Sequence, residues 1–395
     1  PRRKKKRRSS LAMQGRDQTT PVKRLLRAAA ALITGQARQS RGRQRRRRTP
    51  PSKKRARRPR GAGKSRRLLP KPLPPTTAAA LCIMDCRSGK VLASRCAHAP
   101  RSVASLTKIL AVKTVFRHLA TGVLPAGFLD TVVDVSEDAA ATGGTSAGLR
   151  AGDRVTVLDL LYGALLPSGN DAVASLAETV GKERLTVHAT TENTIAFASA
   201  QAQFVKDMNA ESLRLGNLSS SSTFHNAHGM DPSGEDGVKL NAQFSTAHDM
   251  AVIAASAMRE HPLFRKIVAT KQYQCTDMGE NGRVIEWQNT NKLLWRSKKA
   301  LGLKTGWTKS AGPCLCSAMR LPVTKVSTTG KPSNDENGER INHGNDFRGN
   351  VRLQNTSKPL EFRDVIVVTL QSESTAVRWP EHRKLYRWAQ RFCKT

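Results

Sequence analysis

The spacing of hydrophobic and polar residues changes character near residue 76. Upstream the sequence is basic with short apolar stretches, whereas downstream apolar residues recur with the periods of strands and helices. Apolar runs bounded by turn residues predict strands at 78–85, 90–94, 314–321 and 364–370. Helical spacing predicts helices at 105–119, 157–166, 172–180, 204–215, 245–258 and 381–392. Strands at both ends with helices between them predict a mixed α/β (α+β) fold whose sheet joins the two ends.

The breaks in this pattern divide the chain into two parts. Residues 1–75 are predicted to be a disordered basic tail, and residues 76–395 a single domain. Within the domain, Pro167 ends one helix and sets up a turn carrying Ser168-Gly169-Asn170, after which Asp171 is placed to cap the next helix. Two polar stretches interrupt the domain: residues 183–203 give no clear assignment, and residues 324–362 predict a long solvated loop.

The tail holds most of the charge. Residues 1–72 contain 28 Lys and Arg and one acidic residue, a net charge of +27 out of the +37 of the chain. The block at residues 2–8 is typical of a nuclear localisation signal or a polyanion-binding patch. The stretch 22–37 is typical of an organelle-targeting presequence that contacts an import receptor. A poorly constrained extension is the third alternative, and the compartment stays open.

Other compositional features exclude some classes of protein. The seven cysteines show no zinc-ligand spacing, so we interpret them as structural. We predict no bound metal and no cofactor. No apolar run approaches the ~18 residues of a membrane helix, so no transmembrane segment is predicted.

The candidate chemistry starts at Ser105. On a helix, Ser105 and Lys108 share one face, so the amine can take the proton of the hydroxyl if burial or another cation lowers its pKa. Alone, this pair is more typical of an ordinary helix start, with Ser105 capping the helix and Lys108 in solvent. Two further segments follow in order, Ser168-Gly169-Asn170 and Lys304-Thr305-Gly306, and the three together are the signature set of penicillin-interacting serine enzymes.

The similarity extends over residues 77–392. In this range the sequence resembles the low-molecular-weight penicillin-binding proteins, the D-alanyl-D-alanine carboxypeptidases. Beside the three motifs, the resemblance rests on Met208-Asn209-Ala210, His228-Gly229-Met230-Asp231, Ser245-Thr246-Ala247, Asn289-Thr290-Asn291-Lys292-Leu293-Leu294 and Gly302-Leu303-Lys304-Thr305-Gly306-Trp307-Thr308. It implies a β-lactamase/transpeptidase-like fold: an antiparallel sheet flanked by helices, an inserted all-helical region, and a cleft between them.

The resemblance also implies the catalytic roles. Ser105 would be the acylated nucleophile, Lys108 its general base, and Ser168 a proton relay to the leaving amine. The backbone N–H groups of Ser105 and Trp307 would form the oxyanion hole. The reaction would be attack on the penultimate D-Ala carbonyl of a peptidoglycan-type peptide, release of D-Ala and hydrolysis of the acyl-enzyme, with β-lactams as inhibitors.

Substrate contacts are implied in the same way. Asn170 would bind the substrate amide, and Lys304 would add positive field. Thr305, with Gly306 on the same strand, would bind the terminal carboxylate. Arg378 resembles an Arg of the family that also contacts this carboxylate.

Three functions follow from these observations. The first is a D,D-carboxypeptidase or the related D,D-endopeptidase. The second is a β-lactamase, which needs a placed base for fast deacylation. No segment clearly supplies this base, since Glu178 falls on the helix after the Ser168 turn and Glu183 just beyond it. The third is an inactive scaffold that binds polyanions through residues 1–72.

Two departures from the family bear on location. We expect the chain to stop after the last helix of the catalytic domain, without the C-terminal β-domain and membrane anchor of many members. In place of the signal peptide of the exported family stands the basic tail, which suggests an organelle, an endosymbiont or a nuclear-type signal.

Overall fold

A computed structural model describes most of the domain. The described residues are 72–186, 195–216, 218, 222–231, 243–279, 282–323 and 361–392. The predictions for the basic tail, for the middle of the 183–203 stretch and for nearly all of the 324–362 loop lie outside these residues.

The described chain alternates between strands and helices. Its strands are β1 (Ala80–Asp85), β2 (Val91–Arg95), β3 (Val132–Asp134), β4 (Arg154–Thr156), β5 (Gln272–Thr276), β6 (Val284–Gln288), β7 (Ala300–Gly302), β8 (Thr305–Thr308), β9 (Gly312–Pro322) and β10 (Phe362–Leu370). Its α-helices are α1 (Thr107–Ala120), α2 (Glu137–Ala140), α3 (Val157–Leu165), α4 (Asn170–Thr186), α5 (Phe197–Arg214), α6 (Ala247–Glu260), α7 (Pro262–Ala269), α8 (Leu293–Arg296) and α9 (Arg378–Ala389).

The central sheet joins the two ends of the domain. The sheet has six antiparallel strands: five run in the order β2-β1-β10-β9-β7, and the sixth, β8, pairs with β9 at the edge of the sheet. The sequence analysis predicted this joining from the strands at either end, and the mixed α/β architecture is confirmed.

Both faces of the sheet are covered by helices. Successive side chains of a strand point to opposite faces, so Cys82 and Met84 of β1 join one core and Leu81 and Ile83 join the other. Helix α6 packs on the first face, against β1 and β10, and α9 packs on the second, against β9 and β10. The continuous burial of β1 follows from this two-sided cover.

The helical region lies between β2 and β7 in the chain, and α1 runs through its centre. Residues 107–116 of α1 are all buried, including two lysines, and α1 packs against α3, α4, α5, α6 and α7. A helix buried on all sides is expected to be apolar throughout, so buried lysines need specific partners. The beginning of this helix is therefore a candidate site.

Several helices differ from their predicted bounds. Helix α5 begins at Phe197, before the predicted residue 204, because the Ala-rich stretch 196–202 favours helix. Parts of the 183–203 stretch therefore end α4 and begin α5. Asp171 lies inside α4, and its carboxylate accepts hydrogen bonds from the backbone N–H groups of Ala147 and Leu149, so it also anchors the loop before β4.

Two compositional predictions can be compared with the described residues. Six of the seven cysteines are described; all six are free thiols, and only Cys96 is exposed. None of the described helices has both the length and the apolar character that crossing a membrane requires.

Candidate active site

Ser105 lies in a 3₁₀ turn, Ala104–Leu106, that leads directly into α1. This continuous helical path brings the Ser105 hydroxyl and the Lys108 amine to one face, with Lys108 Nζ 3.0 Å from Ser105 Oγ. The residue before the serine, Ala104, has a φ of +49°, which non-glycine residues adopt at a cost in free energy. The turn therefore presents Ser105 on a strained backbone.

The Lys108 amine has two further neighbours, and both are carbonyl oxygens. Nζ donates to Asn170 Oδ1 at 2.7 Å and to the backbone oxygen of His228 at 2.9 Å. A neutral amine has two N–H donors and one lone pair. Because the two carbonyls take both donors, the lone pair is directed to Ser105 Oγ. The hydroxyl has a second, longer acceptor in the His228 oxygen at 3.4 Å.

The burial of Lys108 favours this neutral form. Its side chain is fully buried, and desolvation lowers the pKa of the amine to about 7, although the negative charge of Asp171 opposes the shift. The direct neighbours of the amine are all uncharged oxygens. At neutral pH a substantial fraction of Lys108 is therefore unprotonated and able to accept a proton.

The Ser168-Gly169-Asn170 turn faces the same amine. Asn170 is the first residue of α4, and its Nδ2 donates to the Gly143 oxygen at 2.7 Å, so its Oδ1 is the atom that faces Lys108. Ser168 is buried and has a φ of +76°. Two motifs distant in sequence thus meet at one lysine, and Ser168 precedes the contact by two residues.

Strand β8 forms the opposite wall. Lys304 and Cys316 exchange both backbone hydrogen bonds, so Thr305 and Trp307 occupy the alternate positions of the antiparallel ladder. Their N–H groups point away from β9, toward the open edge of the sheet. Gly306 packs closely against the backbone: a Cβ at this position would lie 3.3 Å from the Ser105 nitrogen. The N–H groups of Ser105 and Trp307 consequently belong to two adjacent segments.

The wall holds two basic side chains, Lys304 and Arg378. The Lys304 amine is buried and donates to the Thr305 oxygen at 3.1 Å. Desolvation lowers the pKa of Lys304 well below its ordinary value, and the charges of Lys108 and Arg378 add to the effect. Arg378 donates to the oxygens of Gly306 and Cys314 and stacks on Trp379. An anion bound here would stabilise the charged form of Lys304 and would pair with the Arg378 guanidinium.

One contributor to the site was not predicted. The sequence analysis named His228 only within the motif His228-Gly229-Met230-Asp231, and in the structure its ring accepts the N–H of Met230 at 3.2 Å. Its backbone oxygen, however, contacts both Ser105 and Lys108. Burial, with a smaller effect from Lys108, lowers the pKa of the His228 ring to about 4. The His228-Gly229 pair was the available signal, since glycine allows close approach of two backbones.

A carboxylate ties this loop to its surroundings. Asp231 accepts hydrogen bonds from Ser102 Oγ at 3.2 Å and from Ser310 Oγ, which also contacts Thr308 Oγ1 at 3.1 Å. Ser102 precedes Ser105, and Thr308 ends β8. Asp231 therefore connects the His228 loop to the segments that carry the serine and the β8 wall.

Comparison with known proteins identifies the family of this site. A sequence profile of the D-alanyl-D-alanine carboxypeptidases matches residues 70–326, which is more than half of the chain and includes Ser105, Lys108, Asn170 and Lys304. The chain belongs to the D-alanyl-D-alanine carboxypeptidase family. This confirms the resemblance seen in the sequence.

Individual members of the family show how far the similarity extends. D-alanyl-D-alanine carboxypeptidase DacC of Escherichia coli K12 is 31% identical over 329 residues, covering 82% of this chain and 63% of the relative. The D-alanyl-D-alanine carboxypeptidase of Streptomyces sp. K15 is 32% identical over 271 residues, covering 66% of this chain and 84% of the relative. The chain thus spans less than two thirds of the length of DacC.

Solved structures give the same result for the fold. The crystal structure of the Streptomyces K15 DD-transpeptidase matches with a TM-score of 0.58 at 26% identity, covering 80% of this chain and 98% of that chain. The predicted β-lactamase/transpeptidase-like fold of this family member is confirmed.

The predicted site residues fall into two groups. The Lys108 amine contacts both Ser105 and Asn170, and Ser168, which is buried, precedes Asn170 by two residues. The others cluster along β8: Lys304, Thr305, Gly306, Trp307 and Arg378. The roles of these residues remain predictions.

Proposed function

We propose that this protein is a serine-type D-alanyl-D-alanine carboxypeptidase that removes the terminal D-alanine from peptidoglycan-type peptides through an acyl-enzyme on Ser105. The observation that carries this proposal is the environment of Lys108. Two carbonyl acceptors and full burial leave the amine with a lone pair 3.0 Å from the serine hydroxyl. A base of this kind makes a serine nucleophilic without a histidine.

In the acylation step, Ser105 Oγ attacks the penultimate D-Ala carbonyl and Lys108 takes the hydroxyl proton. The developing oxyanion would accept hydrogen bonds from the N–H groups of Ser105 and Trp307. Support for the second donor comes from the register of β8, which directs the Trp307 N–H away from β9. Ser168 would then return the proton to the nitrogen of the leaving D-alanine.

Recognition of a terminal carboxylate fits the β8 wall. Arg378 provides positive charge, an anion would raise the lowered pKa of Lys304, and the Thr305 hydroxyl lies at the same wall, 2.8 Å from the hydroxyl of Thr290. A free carboxylate at the C-terminus of the substrate would pair with Lys304 and Arg378, for which the described part of the chain supplies no carboxylate partner. This favours a carboxypeptidase over an enzyme for internal peptide bonds.

The β-lactamase alternative has less support. Fast deacylation needs a base positioned to activate water. Of the two glutamates considered, Glu178 accepts hydrogen bonds from Ser136 and Lys182, and the described contacts of Ser105 and Lys108 include no carboxylate. We therefore expect β-lactams to acylate Ser105 and the resulting acyl-enzyme to be hydrolysed slowly.

Covalent labelling tests the proposal. The full chain is incubated with a fluorescent penicillin and analysed by intact mass and peptide mapping, and D-alanine release from diacetyl-L-Lys-D-Ala-D-Ala is measured in parallel. We expect one adduct on Ser105, lost in Ser105→Ala and Lys108→Met. Ser175→Ala is the matched control, because Ser175 is a buried serine whose hydroxyl has no partner among the described residues.

The other outcomes separate the alternatives. Rapid turnover of penicillin without an accumulated adduct would favour the β-lactamase. If folded protein shows neither labelling nor D-alanine release, the proposal is contradicted and the polyanion-binding scaffold remains. For that scaffold, removal of residues 1–72 should abolish salt-sensitive binding to a polyanion, while labelling of Ser105 persists.

A further inference from the structure

A large cavity adjoins the carboxylate end of the candidate site. It lies between the segment after β6, helix α8 and the start of α9, with a volume of about 870 Å³. Thr290 and Arg378 both line it. Thr290 Oγ1 lies 2.8 Å from Thr305 Oγ1, and Arg378 donates to the Gly306 oxygen. The cavity therefore continues from the wall at which a terminal carboxylate would bind.

The lining of the cavity is cationic and aromatic. Lys292, Arg296 and Arg378 line it together with the rings of Trp295 and Trp379, and the described residues of the lining include no aspartate or glutamate. The Nε atom of Arg378 is buried and has no hydrogen-bond partner among the described residues. Three cations without a lining carboxylate favour an anionic occupant, and the two indole rings provide apolar contact area.

The size of the cavity exceeds the needs of the small leaving group. A volume of several hundred Å³ is typical of pockets that hold drug-sized molecules. D-alanine has six non-hydrogen atoms, and its carboxylate would already be held at Thr305. The additional space lies beyond this carboxylate, on the side of the scissile bond that carries the amine.

We propose that this cavity binds the amine component of the reaction, an anionic amino acid or peptide amine larger than D-alanine, a proposal that rests on the proposed function. In cleavage, the amide C–N bond breaks, and the amine departs through this site with the proton that Lys108 took from Ser105 Oγ. In transfer, the amine nitrogen attacks the acyl-enzyme carbonyl and the ester bond to Ser105 Oγ breaks. Lys108 then conveys the proton lost by the amine to Ser105 Oγ.

The test measures how acceptor charge changes the fate of the acyl-enzyme. The full chain is acylated with the ester diacetyl-L-Lys-D-Ala-D-lactate in the presence of D-alanine, D-glutamate or D-glutamine at equal concentration. The ratio of transfer product to hydrolysis product is measured by mass spectrometry. D-Glutamate and D-glutamine are matched in size and differ by one carboxylate, so their comparison isolates the charge.

Two pairs of substitutions identify the cations responsible. Lys292→Gln with Arg296→Gln removes two cations of the cavity. Lys298→Gln with Lys299→Gln removes two exposed lysines that follow α8 and lie outside the lining. In the wild type and in the Lys298/Lys299 control variant, we expect the ratio of transfer product to hydrolysis product to be about fivefold higher with D-glutamate than with D-glutamine. In the Lys292/Arg296 cavity variant, the ratios for the two acceptors should be equal. High salt should reduce the difference.

The results that overturn the proposal differ from those that overturn the proposed function. Three results would exclude the cavity as the amine site. These are equal product ratios for D-glutamate and D-glutamine in the wild type, hydrolysis without any transfer, and an equal loss of the preference for D-glutamate in the cavity and control variants. Failure of the ester and of penicillin to acylate Ser105 would instead contradict the carboxypeptidase itself. Penicillin labelling of both variant pairs should match the wild type.

Discussion

Lys108 and Lys113 are both fully buried on helix α1, five residues apart, but their amines have opposite kinds of neighbour. Lys113 Nζ forms ion pairs with Glu211 and Glu260. Lys108 Nζ contacts only uncharged oxygens among its described hydrogen-bond partners, those of Ser105, Asn170 and His228. One lysine is thus compensated by carboxylates, whereas the other bears a desolvation cost that lowers its pKa.

The first prediction concerns the pH dependence of acylation. The pKa of Lys108 is lowered to about 7, and the neutral amine is the form that acts as the base. The second-order rate constant for acylation by a chromogenic cephalosporin should therefore rise with pH to a plateau, with a midpoint at about 7. Stopped-flow measurement from pH 5.5 to 9 checks this. A midpoint near that of an ordinary lysine would show that Lys108 is not the base.

The same shift predicts a change in stability with pH. An unfolded lysine has a pKa of about 10.4, so between pH 7 and 10 the unfolded chain holds a proton that the folded chain has released. Stability from this group must therefore increase as pH rises. The free energy of unfolding of the wild type relative to Lys108→Met should grow by about 1.4 kcal/mol per pH unit.

Urea unfolding of both proteins at pH 7.5, 8.5 and 9.5 measures this difference. The constant effects of the substitution, such as the two carbonyl acceptors left without a donor, cancel in the slope. Parallel pH profiles for the two proteins would mean that Lys108 has an ordinary pKa in the folded state.

Substitution of Lys113 should affect stability without affecting the chemistry. Lys113→Met removes one of the two cations that pair with the buried carboxylate of Glu211, while Arg214 stays in contact with it, so we expect the free energy of unfolding to fall by about 1.5–3 kcal/mol. The rate of acylation per folded molecule should equal that of the wild type. A selective loss of acylation rate in folded Lys113→Met would contradict the assignment.

The close packing at Gly229 gives a further prediction. Gly229 has a φ of +87°, and a Cβ there would lie 2.1 Å from the Ala104 oxygen, immediately before Ser105. Gly229→Ala must displace either the His228 loop or the Ser105 turn, so acylation should slow by at least about tenfold, as misplacement of reacting groups does.

Gly122→Ala is the matched control for this substitution. Gly122 also has a positive φ, +71°, but nothing lies within 4 Å of its Cβ position. Both variants bear the ~1–2 kcal/mol cost of a left-handed alanine, and only Gly229→Ala should lose acylation rate. Equal acylation rates in the two variants would show that the packing of Gly229 on Ala104 does not position the nucleophile.

Local spacing and element type could be predicted because they depend on neighbours in the chain. The pairing of Ser105 with Lys108 follows from helical periodicity, and the opposed faces of β1 follow from strand periodicity. The bounds of α4 and α5 were predicted less well, because the polar, Ala-rich residues between them show little amphipathic pattern. Helix propensity, together with the packing of Phe197 and Ala200 against the core, extends α5 to Phe197.

The sequence by itself determined the family, the mixed α/β fold and the three motifs. It determined these because backbone geometry and the order of motifs are local properties of the chain. Only the tertiary structure decided what the Lys108 amine meets, since Asn170 and His228 are 62 and 120 residues away. It also decided the direction of the Trp307 N–H, through the register of β8 on β9. Burial and through-space charge set a pKa, and neither is present in a chain until it folds.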